Sequence, residues 1–487
     1  MRRAQFTSSP SPLAPWLASE KSPSRLPFPR NEVANFAPGH AVARGWFTLS
    51  IASLVIAGLL SLAVVVGRIP VISEWLADPL FFKRCLVVHV ILALVVWFHA
   101  SAAAWVALLR PGVAGLRGGQ LAFAGASVSV VFIVAAGTLR GVPPVLSNYV
   151  PVLDHPLYLV GVGLFFVSTA FYFLQSLLLP AANGVLPSAP AAMLRASALV
   201  FCAAIATFLS AGFGLPAGLD THTYFEFLFW GGGHVLQVAN VAAMLALWLF
   251  LLGGATGRTV IPTATAAWLG GLLVLPHLFS PLLTARGTLD NLYHEGATQL
   301  MRWGIFPVVV VVLGLCFRHL YRTGTFAGRA WREDTRLIGF LCSAGLTILG
   351  FTLGASIRAA NTVVPGHYHA SIGAVTVIFM AGAYQFGRLV APHAWQPAQK
   401  WARLQLWLFG GGQAVFALGF ALAGIFGAGR KTYGTEQQVR SAGELAGLGV
   451  MSVGGLVAVL GGLLFLGLMT RMILAWRRPA TLATPTS

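Results

Sequence analysis

Asn361-Thr362-Val363-Val364-Pro365-Gly366-His367-Tyr368-His369-Ala370-Ser371-Ile372-Gly373-Ala374-Val375 opens an apolar stretch centred near residue 376. At 100° per residue, two helical positions two apart point about 200° away from each other. The imidazoles of His367 and His369 therefore face opposite sides of one helix. They cannot readily chelate a single ion, but each can ligate a different cofactor, one on either side. An imidazole placed in hydrocarbon is costly unless it is paired or metal-bound.

The rest of the chain supplies the hydrocarbon. Of 487 residues, 57% are hydrophobic and 9% charged, against about 25% charged in a soluble globular protein. Apolar runs of about 20 residues, each long enough to cross a bilayer, centre near residues 56, 95, 129, 168, 202, 238, 273, 308, 347, 376, 415 and 460. The expected fold class is an all-α integral membrane bundle of twelve transmembrane helices, with membrane lipid as its main solvent. Residues 1–44 read as a polar, basic cytoplasmic tail, 45–476 as one twelve-span membrane domain, and 477–487 as a cytoplasmic C-terminal tail. The formal charge of +18 is spread between apolar runs rather than along one face, which argues against nucleic acid as a partner. Of the 31 Lys and Arg, 21 fall on the side of both termini and 10 on the other, so both termini are expected in the cytoplasm. Cys85, Cys202, Cys316 and Cys342 form no Cys-x-x-Cys pair, which removes covalent heme attachment and thiolate zinc of the usual spacing.

Five histidines share one depth. His89 lies on span 2, His234 on span 6, His277 near the end of span 7, and His367 and His369 at the start of span 10. All five fall within roughly 15 Å of the outer surface at 1.5 Å rise per residue. Neutral imidazole is the commonest metal ligand among side chains, and helix bundles build cofactor sites from facing helices.

The span 10 stretch resembles the corresponding segment of the catalytic subunits of the heme–copper oxidase and nitric oxide reductase superfamily. Those carry Asp-Thr, a short apolar run, His-aromatic-His and then small residues. The resemblance implies a cytochrome oxidase subunit I-like fold with two hemes, expected as b-type, and one non-heme metal, copper or iron. His367 would bind the high-spin heme and His369 the low-spin heme. His89, in Val87-Val88-His89-Val90-Ile91-Leu92, would supply the other low-spin ligand. His99 is the alternative, but it lies ten residues deeper, about 15 Å from that plane. Phe229-Trp230-Gly231-Gly232-Gly233-His234 is similar to the family's approach to its first copper ligand, and His277 would be a second. Arg430-Lys431-Thr432-Tyr433 resembles a segment that meets heme propionates, so Arg430 and Lys431 would neutralise them. An outer electron-donating subunit, a c-type cytochrome or a cupredoxin would be the partner, in a bacterial inner (plasma) membrane.

Departures from the oxidase pattern shape the expected chemistry. Pro276 replaces one histidine of the family's span 7 pair, leaving Gln237, His294 and Glu295 as candidates for the third metal ligand. The tyrosine that oxygen-reducing members join to a metal ligand is absent from its usual places: Val238 occupies one, and residues 268–283 contain none. Tyr224 and Tyr293 stand at other positions. The acids nearest the histidines are all external: Asp220, Glu226, Asp290 and Glu295. The expectation is therefore a respiratory oxidoreductase reducing nitric oxide to nitrous oxide, without pumping. The alternatives are oxygen reduction at an altered metal site and a non-catalytic heme-binding electron carrier. A transporter would leave His-Tyr-His unexplained.

Overall fold

The computed structural model describes residues 37–66, 78, 80–179, 185–429 and 441–476. Twelve helices in it are long and apolar enough to cross a membrane, and all twelve expected centres fall inside them. They are α1 (Ala37–Val66), α2 (Phe81–Ala107), α3 (Arg117–Thr138), α4 (Pro156–Leu178), α5 (Ser188–Gly214) and α6 (Thr221–Thr256). There follow α7 (Thr263–Leu278), α8 (Asn291–Arg322), α9 (Thr335–Ala355), α10 (Val363–Val390), α11 (Gln399–Ile425) and α12 (Ala442–Ala475). The even-numbered helices begin at one end of the bundle, the histidine end. The first helix starts eight residues before the expected boundary at Gly45. Most of the N-terminal tail, the C-terminal tail, and Arg430 and Lys431 lie outside the described residues.

The buried positions identify the centre. Of the most apolar window of each helix, 83% is buried in α6, 78% in α10 and 72% in α2, against 22% in α12 and 28% in α1. The three helices that carry His89, His234, His367 and His369 are thus the best enclosed by protein, whereas α1 and α12 offer most of their side chains to lipid. An ionisable group in a span is tolerated on protein-facing surfaces, and the histidines follow that rule.

Local chemistry sets the helix starts at the histidine end. Asp220 caps α6 by accepting from the Thr223 N–H (3.1 Å), and Asp290 caps α8 by accepting from Leu292 N–H (2.7 Å). These carboxylates satisfy orphan amides where the helix dipole is positive. The Thr223 bonds hold the Asp220 carboxyl below its usual range.

Two features were not expected. Residues Ile91–Val96 of α2 form a π-helical segment between His89 and His99; such segments shift the register of side chains and recur at functional sites. Between α3 and α4 the chain forms a two-stranded antiparallel pair, β1 (Pro144–Val145) and β2 (Val152–Leu153). It folds back over the histidine end, and its tip is residues 146–151.

The last two helices meet at glycines spaced by seven: Gly447, Gly454 and Gly461 on α12 face α11. A Cβ on Gly454 would lie 2.3 Å from the Phe416 amide nitrogen. Hydrogen at these positions lets the two backbones touch, a usual mode of helix association in lipid. It also fixes α11, whose Phe416 and Phe420 wall one side of the histidine layer.

Candidate heme and metal centre

His367 and His369 turn to different neighbours, as their spacing requires. His367 Nδ1–H donates to the Gly350 carbonyl of α9 (2.7 Å). Gly354, one turn on, makes room for the ring: a Cβ there would stand 2.8 Å from His367 Cε1 and Nδ1. His369 faces α11 instead, stacked on Phe420 at 5.4 Å and edge-on to Phe416 at 4.8 Å. Tyr368 between them is 44% exposed.

His89 is close enough to His369 for the two rings to interact electrostatically. Its Nδ1–H donates to the Ala57 carbonyl of α1 (2.8 Å). His99 sits past the π segment, 2% exposed, with Nδ1–H on the Val95 carbonyl (2.7 Å) and its ring against Phe201 of α5 (4.7 Å). The π segment thus separates the two imidazoles onto different partners, and of the two only His89 lies within electrostatic range of His369. His89→Ala is expected to abolish the low-spin heme absorption, whereas His99→Ala leaves it intact. Optical spectra of the two purified variants check this, and the opposite pattern would move the ligand to His99.

His234 and His277 follow the same local pattern. His234 Nδ1–H donates to the Trp230 carbonyl (2.7 Å) and His277 Nδ1–H to the Leu273 carbonyl (2.6 Å), each one turn back on its own helix. A carbonyl only accepts, so in each imidazole Nδ1 holds the proton and Nε2 presents a lone pair. Binding one ring nitrogen to a carbonyl is how ligating histidines are oriented.

The two do not converge on one point. His234 lies against the His294 and Thr298 face of α8, with Nε2 3.3 Å from Thr298 Oγ1. His277 lies against Gly304 of α8, where a Cβ would be 2.4 Å from its Cε1. Positions 298 and 304 are separated by about 120° around the helix and roughly 9 Å along it. His277 Nε2 is buried and, among the described residues, has no hydrogen-bond partner. Among the described residues, no three His, Cys, Asp or Glu side chains form a ready metal cluster. Of the third-ligand candidates, Glu295 is exposed and accepts from Gln299 Nε2 (2.6 Å). His294 packs its ring on Trp230 (5.4 Å) and Phe227 (4.7 Å). Gln237 is partly buried, one turn deeper on α6 than His234.

A residue that sequence reasoning passed over does meet His234. Tyr149, at the tip of the β1–β2 hairpin, donates its phenolic O–H to His234 Nε2 (2.9 Å), across 85 residues of sequence. Three things hold it there. The Asn148 N–H (2.7 Å) and Nδ2 (2.5 Å) both donate to the Glu226 carboxylate of α6, which fastens the loop to the helix. Gly233 lacks the Cβ that would stand 2.4 Å from Tyr149 Cβ. Trp230 packs edge-on against the phenol ring at 6.0 Å. Tyr149 has φ +64°, the one positive φ outside glycine among the described residues. The Val150 N–H closes a three-residue turn onto Asn148 C=O (2.8 Å). Such a backbone costs on the order of 1–3 kcal/mol and persists where its surroundings impose it. Burial, and then the Glu226 charge, push the phenol pKa up when no cation stands beside it. No local pattern in Ser147-Asn148-Tyr149-Val150-Pro151 announces this.

The donor set therefore fits hemes at His89, His369 and His367: imidazoles on two helices, each of His89 and His367 with its far nitrogen already bonded to a carbonyl. It fits a further ion at His234, but not one shared with His277.

The arrangement of twelve helices around a histidine layer is the fold of heme–copper oxidase subunit I. A solved structure of a heme–copper terminal oxidase dimer matches with TM-score 0.67 over 90% of this chain and 84% of that one, at 14% identity. An uncharacterized protein, RP382, of Rickettsia prowazekii is 25% identical over 88% of this chain and 96% of its own length. An uncharacterized protein of Aquifex aeolicus is 28% identical over 70% of this chain and 83% of its own. No family model matches the chain.

Proposed function

We propose that this protein is a diheme membrane oxidoreductase that reduces nitric oxide. The observation that carries the reading is the division of one helix between two neighbours. His369 turns to His89 and the Phe416–Phe420 wall, while His367 turns to α9. His89 and His369 would together hold a low-spin heme. His367 alone would hold a high-spin heme, which would supply the site for a gas. Heme supplies one-electron redox chemistry when bound. The chain's own part is to orient the imidazoles through backbone carbonyls and to exclude water from the layer. Electrons would arrive at the histidine end from a donor subunit or a small redox protein, in a bacterial inner membrane with both chain termini cytoplasmic. Arg430 and Lys431 would neutralise propionates there by charge-assisted bonds.

Two nitric oxide molecules, two electrons and two protons give nitrous oxide and water. Oxygen reduction, needing four electrons and four protons, is the second reading, and Tyr149 is the observation that favours it, because it brings a phenol to His234. The experiment for the shared part is heme quantification on the purified chain. Two hemes per chain are expected, and one or none ends the diheme reading.

A further inference from the structure

His234 Nε2, Tyr149 Oη and Thr298 Oγ1 form a convergent set with too few protons for its lone pairs. Trp230 C=O accepts from His234 Nδ1–H (2.7 Å), so Nε2 is a bare acceptor. Thr298 gives its hydroxyl hydrogen to the His294 carbonyl (3.0 Å), so the oxygen it presents to Nε2 at 3.3 Å is a second lone pair. Among the described residues, the Tyr149 hydroxyl alone brings a proton to the space between them. We propose that this is a metal site, in which Tyr149 binds as a phenolate beside His234. It rests on the reading that His234 holds the non-heme metal, and it replaces His277 with Tyr149 as the partner ligand.

The distance supports the exchange of a proton for an ion. Two N/O ligands at about 2.0 Å from a metal, at right angles, are about 2.8 Å apart. His234 Nε2 and Tyr149 Oη are 2.9 Å apart. An ion about 2.0 Å from both would stand off the line that joins them, so each ring turns toward it while their separation is kept. The reaction is balanced simply: the cation enters, the O–H bond breaks, the oxygen–metal bond forms, and the phenol proton leaves to water. An imidazole with hard oxygen donors suits a first-row ion such as iron or copper, and the phenolate favours its oxidised form. The strained turn, the Asn148–Glu226 fastening and the cradle at Gly233 find a common purpose here. A phenol that only oriented His234 would not require a loop from outside the bundle, since Trp230 C=O already orients that ring.

The full-length protein, purified oxidised from membranes, gives the test. Non-heme iron and copper are measured against heme, and resonance Raman spectra are recorded with ordinary and ring-deuterated tyrosine. Deuterium-sensitive phenolate modes are expected in the parent protein. Tyr149→Phe should lose them, and its non-heme metal should fall by on the order of tenfold or more, while both heme signals remain. Tyr149→His, a residue type that tolerates positive φ, should regain metal without phenolate modes. If Tyr149→Phe does not carry heme, Tyr149→His decides: metal without the modes supports the assignment, and modes retained overturn it. Absence of phenolate modes in the parent protein, or full metal in Tyr149→Phe, also overturns it. The underlying reading fails separately, if His234→Ala keeps the metal or the parent protein has none.

Discussion

His369→Ala is expected to abolish the low-spin heme signal and leave the high-spin heme, and His367→Ala is expected to do the reverse. Both side chains belong to one turn of α10, so a helix that merely lost stability would lose both hemes together. What separates them is direction. His369 lies between the His89 side and the aromatic wall of Phe416 and Phe420, none of which but His89 can ligate iron. Removing it would leave His89 as the one nitrogen offered to that heme, too few to keep it low-spin. His367 instead lies against Gly350 and Gly354, where no replacement ligand stands nearby on α9. Optical and electron paramagnetic resonance spectra of each variant read the two signals independently. His369→Met serves as the conservative partner: a thioether is an adequate axial ligand and raises the potential, so the low-spin signal should survive with a higher midpoint. Equal loss of both signals in His369→Ala, with no recovery in His369→Met, would sink the two-sided arrangement.

The sequence made the bundle legible because lipid leaves few choices. A backbone in hydrocarbon must satisfy itself within a helix, so apolar length alone locates twelve spans, and their alternation sets which histidines share a depth. The opposition of His367 and His369 was equally legible, since 100° per residue is a property of any helix. What escaped depended on departures from regularity. The π segment at Ile91–Val96 contains ordinary Ile, Leu, Ala and Val, and nothing in those residues marks the change of register that sends His89 toward α1 and His99 toward α5. The acids expected at the outer ends of the helices stand at the histidine end, and each is engaged locally. Asp220 and Asp290 cap helices, Glu226 fastens Asn148, and Glu295 bonds Gln299. Tyr149 was illegible for a different reason. Helix positions on spans 6 and 7 are where a phenol can be read from spacing, whereas the structure brings one in from a loop, and a contact spanning 85 residues leaves no periodicity to read.

Turnover with nitric oxide should exceed turnover with oxygen by on the order of tenfold, a barrier difference of about 1.4 kcal/mol, with protons drawn from the histidine end. Val238 and the tyrosine-free stretch 268–283 leave α6 and α7 without a phenol at either expected position, and the Tyr293 hydroxyl of α8 is spent on the Phe227 carbonyl (2.7 Å). Tyr149 restores a phenol to His234, but a phenolate bound to a metal is no longer a free donor of hydrogen, so the ligand assignment and the nitric oxide reading support each other. If Tyr149 instead remains a free phenol, the oxygen reading gains the hydrogen donor it lacks. The proton route is the sharper discriminator. At the histidine end, Glu226 is partly buried and lies one residue from Tyr149 through Asn148. At the other end, His99 Nε2, Ser101 Oγ and Thr169 Oγ1 on α2 and α4 are buried and find no partner among the described residues, a set that ordered water would satisfy and that could admit protons from that face. Sealed proteoliposomes supplied with each gas, with internal and external pH followed together, separate the routes. Faster oxygen turnover, or uptake from the face opposite the histidines that is blocked in Ser101→Val, would replace nitric oxide with oxygen as the substrate and leave the diheme fold standing.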